Sequence, residues 1–235
     1  MSSTRIVTGA LLVAVPLVLT AGFTGLQMTF DYPNILRQPA GEVLTRFAEG
    51  GADLHVYWYA MFIAALGLIP AAVGLALMNF KSSPFLASLV GAFGVVGGLV
   101  QALGLLRWTV LVPGLATAYT APGATDLDKA LATSTFDTAN AYLGMGVGEH
   151  MGYLFTALFT VASSLLVMKR WPALAWSGLV LAVGVAFGML ELGGVPMASM
   201  INALAYMGWS LWAVILGALI LWRGRTMDVT SAVPA

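Results

Sequence analysis

No cysteine occurs in the 235 residues, which removes disulfides, thiolate nucleophiles and thiolate metal sites from consideration. Charge is scarce as well. Only 9% of residues are charged, against about 25% in soluble domains, so most of the surface must face lipid. The 10 basic and 10 acidic residues cancel, and no basic stripe exists for nucleic acid. No lysine falls within an apolar run, which argues against a retinal Schiff base. Gly-x-Ser-x-Gly elbows and phosphate loops are missing. No polar stretch is long enough to bury a core of its own.

What the chain does have is apolar runs. Six of them approach the length of about 20 residues that a bilayer demands: about 6–30, 55–80, 84–112, 148–168, 172–192 and 197–222. The first could be a secretory signal, but its run of about 25 residues exceeds a signal core of 7–15 and no A-x-A site follows. It reads as a retained span. The expected fold class is all-α: one polytopic domain over residues 1–235, a bundle of six transmembrane helices. Short connections at Lys81-Ser-Ser-Pro84 and Lys169-Arg-Trp-Pro172 are tight turns, and the last ten residues read as a disordered tail.

Two connections are longer, 31–54 and 113–147, and each holds an amphipathic stretch. In the first, Pro39 opens a short helix with Glu42 in its first turn and Arg46 in its last, as the helix dipole favours. Val43, Leu44 and Phe47 form its apolar side. In the second, Thr125 caps a helix with Asp128 three residues on as reciprocal partner. Ala132, Phe136, Ala139 and Leu143 make its apolar stripe. Both are expected to lie on the outer membrane surface.

Lys and Arg set orientation. Arg5, Lys81, Lys169, Arg170, Arg223 and Arg225 share one side with a single acid, Asp228; Arg37, Arg46, Arg107 and Lys129 share the other with the remaining acids. Both termini are therefore expected in the cytoplasm. Trp58, Trp108, Tyr57 and Tyr59 would form the outer aromatic belt, Trp171 and Trp222 the inner.

The same outer level collects the ionisable residues: His55, Arg107, Glu149, His150 and Glu191. Ionisable groups near a membrane helix are costly and call for an explanation. Glu149 and His150 sit in a glycine-rich stretch, Gly144 to Tyr153. Gly144/Gly148/Gly152, Gly184/Gly188 and the row through Gly94, Gly97 or Gly98, Gln101 and Gly104 read as close helix packing.

Three readings are open. In the first, Arg107 simply pairs with Glu191 or Glu149, and the histidines hydrogen-bond at the interface. Alternatively, His55, His150, Glu149 and Glu191 converge as ligands of Zn, Fe or Cu, or the two histidines hold a haem, making a metal-dependent membrane enzyme. In the third reading Arg107 receives an anionic or polar headgroup, with Glu191, Glu149, Tyr59, Trp108 and Tyr153 around it. The last gives a binding protein for a small polar or lipid-like ligand, or an accessory subunit working with other membrane subunits.

Lys169-Arg-Trp-Pro172, Ser177-Gly178, Trp209-Ser-Leu-Trp212 and Gly217-Ala-Leu-Ile-Leu-Trp-Arg223 form a pattern of basic turn, proline, Gly-rich helix and Trp-rich last helix. Over these final 55 or so residues the chain resembles a family of small bacterial six-span proteins catalogued as a domain of unknown function. The resemblance implies this fold and a bacterial inner membrane, and no activity.

The orientation has a direct test. A cysteine placed at Ser82 should be shielded from an impermeant maleimide added outside, and one at Thr125 should react. The reverse pattern would put the ionisable cluster on the cytoplasmic side.

Overall fold

The computed structural model describes residues 3–230, with side chains to Trp222. Nine helices follow one another, and no strand is present among the described residues. They are α1 (Ser3–Phe30), α2 (Ala40–Glu49), α3 (Gly51–Asn79), α4 (Pro84–Leu106), α5 (Val112–Thr120), α6 (Asp126–Ala139), α7 (Gly152–Val167), α8 (Pro172–Phe187) and α9 (Ala198–Thr230). A 3₁₀ turn, Asn34–Arg37, precedes α2, and another, Gly188–Gly193, ends α8.

Six continuous helical stretches are long and apolar enough to cross a membrane: Ser3–Phe30, Gly51–Asn79, Pro84–Thr120, Asp126–Val167, Pro172–Gly193 and Ala198–Trp222. The protein is a multi-pass membrane protein. Its six spans pack in a closed ring, α1 on α3, α3 on α4, α4 on α7, α7 on α8, α8 on α9, and α9 back on α1. A helix bonds its backbone groups within itself, which hydrocarbon requires.

Small residues let the ring close. A Cβ added at Gly104 would run into Gly148 Cα, so α4 and the segment leading into α7 cross backbone to backbone. Gly94 admits Ala72 and Phe159, Gly97 packs on Phe155, and Gly152 packs on Gln101. Between α8 and α9, Gly184 meets Ala205 and Gly188 meets Asn202. Without a hydrophobic driving force between helices in lipid, such close approach supplies the dispersion contacts that hold spans together. At Gly9 and Gly217, α1 meets α9 in the same manner.

A polar thread runs through the ring. Gln101 Nε2 donates to Thr156 Oγ1 at 2.8 Å, Thr160 Oγ1 donates to the Thr156 carbonyl, and Trp209 Nε1 donates to Thr160 Oγ1 at 2.8 Å. It ties α4, α7 and α9. Toward the Lys81 and Lys169 turns the interior is mostly apolar, with Leu12, Leu68, Leu75, Phe159, Trp209 and Trp212 together and the hydroxyls of Thr8, Ser163 and Ser164 buried.

Three expectations change. Pro113 does not end the third span. A π turn at Arg107–Leu111 precedes it and the helix resumes as α5 to Thr120; there Pro113 stands in a first turn, where its missing N–H costs nothing. The second long connection, expected over 113–147, does not stay separate from the fourth span either. Asn140–Met151 is π-helical and joins α6 to α7 without a gap. At the far end α9 runs on to Thr230, so 226–230 are helical and the rest of the expected tail, 231–235, lies outside the described residues.

The helices of the two long connections sit against the bundle. Val43, Leu44 and Phe47 of α2 and Ala132 and Phe136 of α6 are buried in one cluster with Leu26, Phe30, Trp58 and Trp108. Thr125 and Asp128 form the reciprocal cap of α6. Trp58 and Trp108, expected in an aromatic belt, are instead 0% and 1% exposed and stack face to face, 4.3 Å between centroids. The covering helices α2 and α6 remove that end of the bundle from lipid. Tyr59 does point outward, 49% exposed.

The Gly104–Gly148 crossing leaves no space for a branched side chain. Gly104→Val should lower stability by about 1–3 kcal/mol or more, the usual penalty of overpacking. Gly114→Ala, where an added Cβ meets nothing within 4 Å, should shift it by no more than about 1 kcal/mol. Thermal unfolding in detergent compares the two.

Candidate functional site

Arg107 lies three residues beyond Gly104, at the start of the π turn. Glu149 and His150 follow Gly148 directly. The backbone crossing therefore brings these ionisable groups to one level. π turns widen a helix by a residue and recur at functional sites; here both crossing segments carry one.

The Arg107 guanidinium is 7% exposed. It donates from Nη1 to the Gly104 carbonyl and from Nη2 to Asn140 Oδ1 at 3.1 Å. A Cβ at Gly144 would stand 2.6 Å from Nη2, so that glycine makes room for the group. Its Cζ is 5.2 Å from the Trp108 ring centroid. Nε is buried without a hydrogen-bond partner. Its hydrogen-bond partners are thus neutral.

Glu191 is taken by another cation. Arg37, from the 3₁₀ turn before α2, donates from Nη2 to Glu191 Oε1 at 2.5 Å. This pair, rather than one between Arg107 and Glu191, is the ion pair of the site, and it joins residues 154 apart in sequence. Arg37 was visible only as one charge in a loop. Asn140 was one neutral amide in the 113–147 connection. Neither residue carries a spacing that would assign it to Glu191 or Arg107 before the chain folds.

Glu149, His150, Tyr153 and Glu191 line one small cavity together with Met145, Gly188 and Leu192. Its volume of about 10 Å³ holds a single water. His150 Nδ1 is buried there without a partner. Tyr153 also packs on Tyr206, centroids 5.8 Å apart. Neither Tyr59 nor Trp108 reaches this cavity. Tyr59 contacts Phe62 on the outer face of α3.

His55 stands apart. Its ring meets Phe47 edge-on at 5.1 Å, and it borders a different and larger cavity. The two histidines thus belong to separate spaces. Among the described residues no group of three or more His, Cys, Asp or Glu side chains is gathered closely enough to hold a metal ion.

Comparison with known families settles kinship. The family described as "Domain of unknown function (DUF4386)" matches residues 7–224. The chain belongs to it. The DUF4386 match spans all six helical crossings, including Glu149-His150, and is not confined to the Trp-rich last third. No curated protein and no solved structure matches the chain.

The Arg37–Glu191 pair is 54% and 31% exposed on its two sides. Solvent screening keeps such pairs weak, and a double-mutant cycle with Arg37→Ala and Glu191→Gln should give a coupling of about 0.2–1 kcal/mol that fades in high salt. A salt-independent coupling of several kcal/mol would mean the pair is shut away from water.

Proposed function

We propose that this DUF4386 protein binds a small polar or lipid-like ligand through the cluster of Arg107, Glu149, Tyr153 and Glu191, alone or as an accessory subunit of a larger membrane assembly. The proposed setting is a bacterial inner membrane, both termini cytoplasmic and the loop-bearing end outward, as the excess of Lys and Arg on the opposite turns favours. The observation that carries this reading is Arg107: a buried cation whose hydrogen-bond partners are all neutral and whose Nε bonds to nothing. Burying a charge is strongly unfavourable unless it is paired, and a guanidinium is suited to forked recognition of an acidic group.

The water-sized cavity, lined by Glu149 and Glu191 and not by Arg107, is too small for such a ligand as it stands. Arg37 bonds one of the two carboxylates on its wall. Admission of a ligand then requires Arg37 to leave Glu191, which costs little for an exposed pair. A ligand bearing both an acidic and a basic group would satisfy Arg107 and the freed carboxylate together.

Native mass spectrometry of protein released gently from membranes provides the test. Wild-type protein should carry a bound polar or lipid-like species, and Arg107→Gln should reduce its occupancy about tenfold or more, equivalent to about 1.4 kcal/mol, while helicity is retained. Arg107→Lys should restore it poorly, since an ammonium lacks the planar fork. Unchanged occupancy in Arg107→Gln would overturn the reading. So would a loss of helicity in both variants, which would give Arg107 a role in the fold alone.

A further inference from the structure

The second cavity is larger, about 420 Å³, within the range of ligand pockets of about 300–1,000 Å³. It lies between the start of α3 and α5, where α2 folds over the end of the bundle. Phe47, His55, Pro113, Ala116, Thr117 and Thr120 are the walls that matter. It shares no lining residue with the cavity of Glu149 and Glu191.

Its chemistry is lopsided. The Thr117 hydroxyl donates to the Pro113 carbonyl at 2.9 Å and the Thr120 hydroxyl to Ala116 at 2.8 Å, so both protons are turned back onto α5. His55 Nδ1 lies 3.0 Å from the Gly51 carbonyl. A carbonyl can only accept, so Nδ1 carries the proton. In the neutral ring Nε2 is then a bare acceptor, held in place by the Gly51 bond and by the edge-on contact with Phe47. The remaining walls are apolar. A space of this size with apolar walls and an oriented acceptor suits a ligand with an apolar body and one acidic proton.

We infer that this cavity binds a single-chain carboxylic acid, a fatty acid, with its carboxyl group on His55 Nε2 and its chain along Phe47, Ala116 and Pro113. The cavity opens at the end of the bundle, between the start of α3 and α5. The carboxyl O–H donates a hydrogen bond to Nε2, and no bond is broken. Each further methylene adds packing contacts along the apolar walls, so affinity should rise with chain length until the space is full.

The probe is a diazirine-bearing palmitic acid, presented to full-length protein in phosphatidylcholine nanodiscs. Labelling should saturate and should map to residues 47–55 and 113–122. His55→Leu should weaken it about tenfold or more. Thr117→Phe, at an exposed helix position on the rim, should fill the space and abolish it with the fold kept. Unlabelled palmitic acid should compete, and its methyl ester, which lacks the acidic proton, should not. Equal competition by the ester would overturn the carboxyl assignment, and labelling that never saturates would overturn the site. Unchanged labelling in Thr117→Phe would place the lipid elsewhere. If His55→Leu fails to fold, the ester competition on wild-type protein still decides.

Discussion

The approach of Gly104 to Gly148 is the contact on which the rest of this structure depends. Two helices that cross backbone to backbone bring whatever follows each glycine into register. Arg107 follows the first and Glu149-His150 the second. A larger residue at either glycine would push the segments apart by the thickness of a side chain. The guanidinium would then lose both the space vacated at Gly144 and the amide of Asn140. Packing and site electrostatics are here one constraint, because in lipid the same close approach that supplies dispersion energy also decides which polar groups can meet.

Polar groups inside the ring are treated in two ways. Gln101, Thr156, Thr160 and Trp209 satisfy one another across three helices. That thread costs little and adds specificity to the order of the spans. Arg107, His150 and Trp58 instead keep a buried nitrogen without a partner, and Thr8, Ser163 and Ser164 a buried hydroxyl. Unsatisfied buried groups are rare in native structures and ask for a reason. Of these groups only Arg107 is a buried cation, which is why the ligand reading rests on it. The stack of Trp58 on Trp108 with Phe30, Phe47 and Phe136 serves the other end of the same problem. It roofs the bundle so that α2 and α6 can cover it.

Much of the fold is legible in the chain because bilayer physics is coarse. Runs such as His55 to Phe80 or Pro172 to Leu192 are apolar beyond any soluble helix, and Lys81-Ser-Ser-Pro84 can only be a turn. The reciprocal cap at Thr125 and Asp128 is equally local. Where local rules failed, a neighbour had intervened. Pro113 is harmless because the π turn before it shifts the hydrogen-bond register. The glycines of 144–152 stay helical because Gly104, Arg107 and Gln101 pack into the space they leave. Trp58 and Trp108 look like belt residues from their position, and only the covering helices make them core.

By itself, then, the sequence determined membrane residence, six crossings, the sites of the short turns and the gathering of ionisable residues at one level, all of which follow from hydropathy, helix length and charge along one chain. Tertiary structure decided the partners. Arg37 reaches Glu191 and Asn140 reaches Arg107 because the ring closes α1 on α9 and α4 on α7, and it sends His55 and His150 to different cavities. Depth along a helix can be counted from residue numbers. The direction a side chain faces, and what meets it, depends on how six helices rotate and cross, and that is set by small-residue contacts between segments far apart in the chain.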